Sequence, residues 1–184
     1  MESKPEYRIL TVPNGISLFR MLLLIPIGYF LWHDNLILVA ILVVISFFTD
    51  FLDGMLARKL DQISEVGKVL DPLADKLSIG VCLIILYFKA IVPGWLVIIV
   101  VGRDVAIMIG GLIFASKYRL VIPSDAIGKM TANVLALMVF GYIFQLKILI
   151  TVFTPLAIVF VIWSSFNYSR RFYQKIKLNT SAEK

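Results

Sequence analysis

The sequence predicts an all-α integral membrane bundle of six transmembrane helices, with room for a short interfacial helix ahead of the first. Three observations carry this expectation. Sixty per cent of the 184 residues are hydrophobic and only 16% charged, with a mean hydropathy of +0.92; soluble domains are roughly 45–50% apolar. The apolar residues fall into six runs, each near the about 20 residues that cross a bilayer. The lysines and arginines gather on one side of the resulting topology.

Taken in order, residues 1–13, with Lys4 and Arg8, form an N-terminal cytoplasmic segment that reads either as a surface helix or as a tail. The first helix is expected over 14–32. Its apolar run begins near Ile16 and leads into further apolar segments with no small-residue cleavage site, so it reads as a retained helix rather than a signal peptide. His33-Asp34-Asn35 breaks the first hairpin, and helices over 36–58 and 68–90 follow. Pro93-Gly94 opens a fourth helix, 93–116. Pro123-Ser124-Asp125 starts the fifth, 126–146, with Ser124 as its N-cap. The sixth is expected over 148–170. No repeat or low-complexity stretch divides the chain, so 14–175 reads as one transmembrane domain and 176–184 as a basic cytoplasmic tail. Arg170, Arg171, Lys175 and Lys177 precede or begin that tail.

With both ends on one side, that side collects the N-terminal segment, the 58–68 and 117–125 loops and the tail. The other side holds only Lys89 and Lys147 of the 18 basic residues. The basic side is therefore expected to face the cytoplasm. The net charge of +6 and pI of about 9.5 come from residues flanking apolar runs, which points to anionic lipid headgroups and not to nucleic acid. A single cysteine, Cys82, excludes an internal disulfide framework and reads as a small buried hydrophobe.

Against this apolar background four aspartates stand out. Asp50 and Asp53 are three apart near the end of the second helix, and Asp71 and Asp75 are four apart at the start of the third. Each pair shares a helix face, and a short loop makes the two helices antiparallel neighbours. Ionisable groups in a membrane segment default to function. Four carboxylates without cations would repel one another, and oxygen donors suit hard ions such as Mg²⁺ or Mn²⁺. Two such ions about 4 Å apart recur in phosphoryl-transfer sites. Gly54 and Gly67 remove side chains where a ligand or backbone could approach. Taken singly, Asp71 before Pro72 also reads as a helix N-cap, and Asp61 and Glu65 read as solvated loop charges. The only histidine, His33, falls in a loop on the opposite side, so the usual general base is unavailable at this site.

Residues 50–75 spell D-x2-D-G-x2-A-R-x8-G-x3-D-x3-D, with Asp50, Asp53, Gly54, Ala57, Arg58, Gly67, Asp71 and Asp75 at the fixed positions. This resembles the signature of the CDP-alcohol phosphotransferase family at every fixed position. The resemblance implies six transmembrane helices and a homodimer. It also implies transfer of a phosphatidyl group from a CDP-linked lipid to an alcohol with release of CMP. Two metal ions would be held by the four aspartates, Asp75 would be the general base, and Gly54, Ala57, Arg58 and Gly67 would cradle the cytidine diphosphate. The expected setting is the inner (plasma) membrane, with the active site facing the cytoplasm.

The acceptor depends on residues outside the signature. Pro13-Asn14-Gly15-Ile16-Ser17-Leu18-Phe19-Arg20 resembles the start of both the phosphatidylglycerophosphate synthases and the cardiolipin synthases of this family. Gly128-Lys129-Met130-Thr131 resembles the G-K-x-K-T segment of the former without its second lysine, whereas Arg103-Asp104-Val105 is closer to the latter. Glycerol 3-phosphate as acceptor calls for cations, and Arg103, Lys129 and Arg20 are the candidates. Lys129 also reads as a snorkelling residue, and Arg103 as a partner of Asp104 or Asp125. The leading expectation is synthesis of phosphatidylglycerophosphate from CDP-diacylglycerol; the alternative acceptor is phosphatidylglycerol, giving cardiolipin. A divalent-cation transporter would instead carry acidic residues through the depth of the bundle, where only Asp34 lies beyond the cluster.

Overall fold

A computed structural model describes residues 12–59, 67–118 and 126–182, with side chains over 15–49, 73–110, 127–171 and 173–174. Six helices cover it: α1 (Val12–Trp32), α2 (Leu36–Lys59), α3 (Gly67–Phe88), α4 (Gly94–Tyr118), α5 (Ala126–Ile143) and α6 (Lys147–Ala182). No strand occurs among the described residues. The chain divides into two compact units, Met1–Ile91 and Val92–Lys184.

In the first unit α1 packs against both α2 and α3. It buries one stripe, Ser17, Arg20, Leu23, Ile27 and Leu31, at the three- and four-residue spacing of a single helix face. The buried partners are Val39 on α2 and Ala74, Ile79, Cys82, Leu83 and Leu86 on α3. A Cβ at Gly28 would lie 3.2 Å from Ile85 Cδ1, so α1 and α3 approach closely there. In the second unit α5 and α6 form a hairpin around Leu135, Met138, Val139, Tyr142, Ile143, Ala157 and Val161. Leu96 and Val100 are the buried residues in the described part of α4. The Thr131 hydroxyl donates to Ile127 O at 2.7 Å on its own helix and lies 3.4 Å from Phe160 O on α6.

Three helices end alike. After α1, α3 and α5 a non-glycine residue takes positive φ: Asp34 (58°), Ala90 (56°) and Gln145 (53°). The next amide reaches back five residues, Asn35 N to Phe30 O (3.0 Å), Ile91 N to Leu86 O (2.9 Å) and Leu146 N to Gly141 O (2.8 Å). These are Schellman closures, which satisfy the last carbonyls of a helix. They explain why α3 and α5 stop at Phe88 and Ile143, short of the expected 90 and 146. Asn35 Oδ1 then accepts from Leu38 N at 3.3 Å and caps α2. Lys89 Nζ donates to Leu31 O (3.1 Å) and Trp32 O (3.0 Å) at the end of α1 and pairs with Asp34 at 2.5 Å.

The last helix, expected over 148–170, continues without a break to Ala182 and so runs through most of the basic segment at 176–184. Residues 170–182 contain no glycine or proline, and Gln174, Lys175, Lys177 and Leu178 favour helix. The Pro123-Ser124-Asp125 start, Asp61, Glu65, Lys4 and Arg8 lie outside the described residues. Among the described residues two segments are long and apolar enough to cross a membrane, Gly15–Trp32 and Lys147–Arg171, and Leu36–Thr49 and Ile127–Ile143 are shorter apolar stretches.

The α5–α6 turn sets up a stability test. A Cβ at Gly141 would lie 2.8 Å from Leu149 Cβ and 3.3 Å from Ile150 N, and neither atom can swing away. Gly141→Ala is expected to destabilise the second unit by about 1–3 kcal/mol. Thermal unfolding in detergent checks this, and an unchanged midpoint would show that the turn relaxes freely.

Candidate active site

Both members of each aspartate pair are helical. Asp50 and Asp53 lie on α2, and Asp71 and Asp75 on α3. Because α3 begins at Gly67, Asp71 is a residue within the helix, and the reading of Asp71 as the capping residue ahead of Pro72 is set aside. The side chains of Asp50, Asp53, Arg58 and Asp71, and the surroundings of Gly54, Ala57 and Gly67, lie outside the described residues. Among the described side chains no three of His, Cys, Asp or Glu gather.

Asp75 is the described member of the set. Its side chain is 47% exposed, while that of Arg20 on α1 is only 4% exposed, and Arg20 Nη1 donates to Asp75 Oδ1 at 3.1 Å. A buried, permanently charged guanidinium thus meets a carboxylate that a solute can reach. Such a charge-assisted bond is roughly twice as strong as a neutral one. α1 places Arg20 on its buried stripe, one turn before Leu23. α3 places Asp75 beside fully buried Ala74, one turn before Ile79. Ser78 Oγ donates to Ala74 O at 2.8 Å in the same turn. The donor chemistry fits a hard divalent cation: carboxylate oxygens at the four motif positions, with the lone histidine elsewhere. His33 Nδ1 sits 2.8 Å from Tyr29 O, and since a carbonyl only accepts, that nitrogen is the donor.

A second charged cluster lies in the other unit. Arg103 Nη1 donates to Asp104 Oδ1 and Nη2 to Ser164 Oγ, both at 2.5 Å. Arg103 and Asp104 are 15% and 12% exposed, and Arg103 Nε has no hydrogen-bond acceptor. Ser164 in turn donates to Val161 O at 3.2 Å. Of the two structural partners considered for Arg103, Asp104 is present and Asp125 lies outside the described residues. Lys129 is exposed on α5 and makes no ion pair among the described residues.

The structure therefore joins Arg20 to Asp75 and Arg103 to Asp104. Sequence reasoning assigned Arg20 to the acceptor and missed its contact with Asp75. It also missed Ser164, whose signal is a buried polar position in register with Ala157 and Val161 on α6.

Comparison with known proteins adds the following. The pattern of the family described as CDP-alcohol phosphatidyltransferase matches residues 10–163. The chain is 38% identical over 124 residues to the CDP-diacylglycerol--glycerol-3-phosphate 3-phosphatidyltransferase of Aquifex aeolicus, covering 66% of this chain and 69% of that one. It is 41% identical over 91 residues to the protein of the same name in Bacillus subtilis, covering 50% and 47%. It is 39% identical over 106 residues to a probable cardiolipin synthase (CMP-forming) of Drosophila melanogaster, covering 57% and 33%. The chain thus spans about half the length of the second relative and a third of the third.

Removing one member of a part-buried ion pair leaves the other uncompensated. Asp104→Asn is expected to cost about 2–3 kcal/mol, and Ser164→Ala only about 1–2 kcal/mol. Denaturant titration in micelles would compare them. A smaller loss for Asp104→Asn than for Ser164→Ala would show that Asp104 is not the counter-ion.

Proposed function

This chain belongs to the CDP-alcohol phosphatidyltransferase family, and we propose that it transfers a phosphatidyl group from CDP-diacylglycerol to glycerol 3-phosphate, giving phosphatidylglycerophosphate and CMP. The observation that carries the reading is the complete aspartate signature on α2 and α3, with its last member, Asp75, half-exposed and bonded to Arg20. Relatives named for glycerol 3-phosphate as acceptor support the choice. The second reading is transfer to phosphatidylglycerol to give cardiolipin. It is favoured by Arg103-Asp104-Val105 and by relatives named cardiolipin synthase.

In the proposed reaction the acceptor hydroxyl oxygen attacks the phosphorus that bears diacylglycerol. The Asp75 carboxylate accepts the hydroxyl proton, and the bond to the cytidylate oxygen breaks so that CMP leaves. Asp50, Asp53, Asp71 and Asp75 would hold Mg²⁺ or Mn²⁺, two ions by the carboxylate count, which supply positive charge at the donor diphosphate. Gly54, Ala57, Arg58 and Gly67 would receive the cytidine diphosphate. Arg103 and Lys129 are the cations proposed for the acceptor phosphate.

We read all six helices as membrane spans, with the site toward the cytoplasm of the inner (plasma) membrane. Large apolar side chains exposed on every helix support this: Ile25, Ile37, Phe88, Ile98, Met130 and Ile148. A soluble surface rarely presents so much contiguous apolar area. Arg170 and Arg171, exposed at the end of the long apolar stretch of α6, suit anionic headgroups. A homodimer belongs to the same proposal by family resemblance.

Purified protein supplied with CDP-diacylglycerol, Mg²⁺ or Mn²⁺ and each acceptor in turn decides the matter. CMP release with glycerol 3-phosphate is expected. Release with phosphatidylglycerol alone would transfer the assignment to cardiolipin synthesis. Mn²⁺ flux into liposomes without CMP release would make the chain a transporter. Asp75→Asn is expected to lower kcat by about 10²–10⁴-fold while donor binding persists, and near-normal turnover would remove its role as base.

A further inference from the structure

Arg103 on α4 and Ser164 on α6 belong to one compact unit, and the bond between them crosses 61 positions of the chain. Ser164 is 4% exposed and the Arg103 side chain 15%. Arginine only donates hydrogen bonds, so the Ser164 oxygen accepts from Nη2 and its own proton turns to Val161 O at 3.2 Å. Val161 O also accepts from the Ser165 hydroxyl at 2.6 Å, which its two lone pairs allow. Asp104 Oδ1 holds Nη1 from the same helix and Ser164 Oγ holds Nη2 from α6. Two attachments fix the plane of the guanidinium, where one would leave it free to rotate. We infer that Ser164 is a positioning residue for Arg103: it sets the plane in which the remaining N–H groups of the fork meet the phosphate of the acceptor. This rests on the reading of Arg103 as a cation for that phosphate.

Two physical arguments support it. A guanidinium has five N–H donors in a rigid fork, and the two bonds use one on each Nη. Each Nη keeps a second proton, and Nε is buried without an acceptor. Buried donors are as a rule paired, so the hydrogen bonding of this guanidinium is incomplete without a further acceptor. The second argument is electrostatic. The Asp104 carboxylate offsets the charge of Arg103, so Arg103 brings an anion direction more than net attraction, and planar recognition of phosphate depends on direction. A serine hydroxyl fixes that direction without adding a second negative charge, which would repel the anion.

The test uses the full chain in detergent micelles, with CMP release measured while glycerol 3-phosphate and CDP-diacylglycerol are varied in turn. Ser164→Ala is expected to raise KM for glycerol 3-phosphate about five- to tenfold, with KM for CDP-diacylglycerol and kcat within about twofold of the parent. Ser164→Thr keeps a hydroxyl at the same place on α6, and its KM for glycerol 3-phosphate should stay within about threefold of the parent. In an Arg103→Ala background Ser164→Ala should raise that KM no further, because the two residues act as one unit. A residue that served packing alone would act on both substrates alike, whatever stands at position 103. An unchanged KM for glycerol 3-phosphate in Ser164→Ala, an equal rise for both substrates, an equal rise without Arg103, or a rise in Ser164→Thr as large as in Ser164→Ala overturns the inference while leaving the proposed function standing. A parent protein that releases no CMP with glycerol 3-phosphate overturns both. Should Ser164→Ala not fold, Ser164→Cys, whose sulfur is only a weak acceptor, decides in its place: an unchanged KM for glycerol 3-phosphate overturns the positioning role.

Discussion

An ionised side chain inside an apolar helical unit must be matched by opposite charge, and each acidic side chain described is so matched, the exposed Asp34 included. Asp34 is paired with Lys89, Asp75 with Arg20 and Asp104 with Arg103. The three pairs do different work. Lys89 also takes two carbonyls at the end of α1, so its pair closes a helix end. Arg103 and Asp104 neighbour each other on one helix and are both part-buried, an arrangement that stabilises only while both members remain. Arg20 and Asp75 differ again, since a buried cation faces a carboxylate that is open to solutes.

Charge matching also bears on the three motif aspartates known here from their backbone alone. Residues 50–75 contain Asp50, Asp53, Asp61, Glu65, Asp71 and Asp75 against Arg58, Lys59 and Lys68, and Asp75 already has its cation from α1. Helical spacing places Asp50 with Asp53, and Asp71 with Asp75, on shared faces, where two like charges raise each other's energy. Divalent ions relieve that repulsion and a donor diphosphate then completes the balance, which is why the carboxylate spacing supports a metal-dependent transferase rather than a set of solvated charges.

Much of this was legible in the sequence because helices in apolar surroundings announce themselves by length and composition. The six elements, the Pro93-Gly94 start and the 33–35 turn follow from that alone. The helix ends at Asp34, Ala90 and Gln145 were not legible. Positive φ is usually marked by glycine, and here the backbone closure itself holds non-glycine residues in that conformation. The apolar stretch of the last helix was legible, expected over 148–170 and found over Lys147–Arg171; the continuation of α6 to Ala182 was not, because backbone propensity does not depend on hydropathy. Arg20's contact with Asp75 spans 55 positions and leaves no local pattern, although a buried arginine on a mostly apolar helix stripe already demands an acidic partner.

The acceptor turns on the same electrostatics. Arg103 and Asp104 together carry no net charge, so this pair offers an incoming phosphate orientation through the guanidinium but little net attraction. A phosphomonoester dianion such as glycerol 3-phosphate gains more from an uncompensated cation than the phosphodiester of phosphatidylglycerol does, because its charge is greater. Preference for glycerol 3-phosphate therefore cannot come from Arg103 alone. It requires a cation not already balanced by a carboxylate, and Lys129, exposed on α5 without an ion pair among the described residues, has the chemistry for that part.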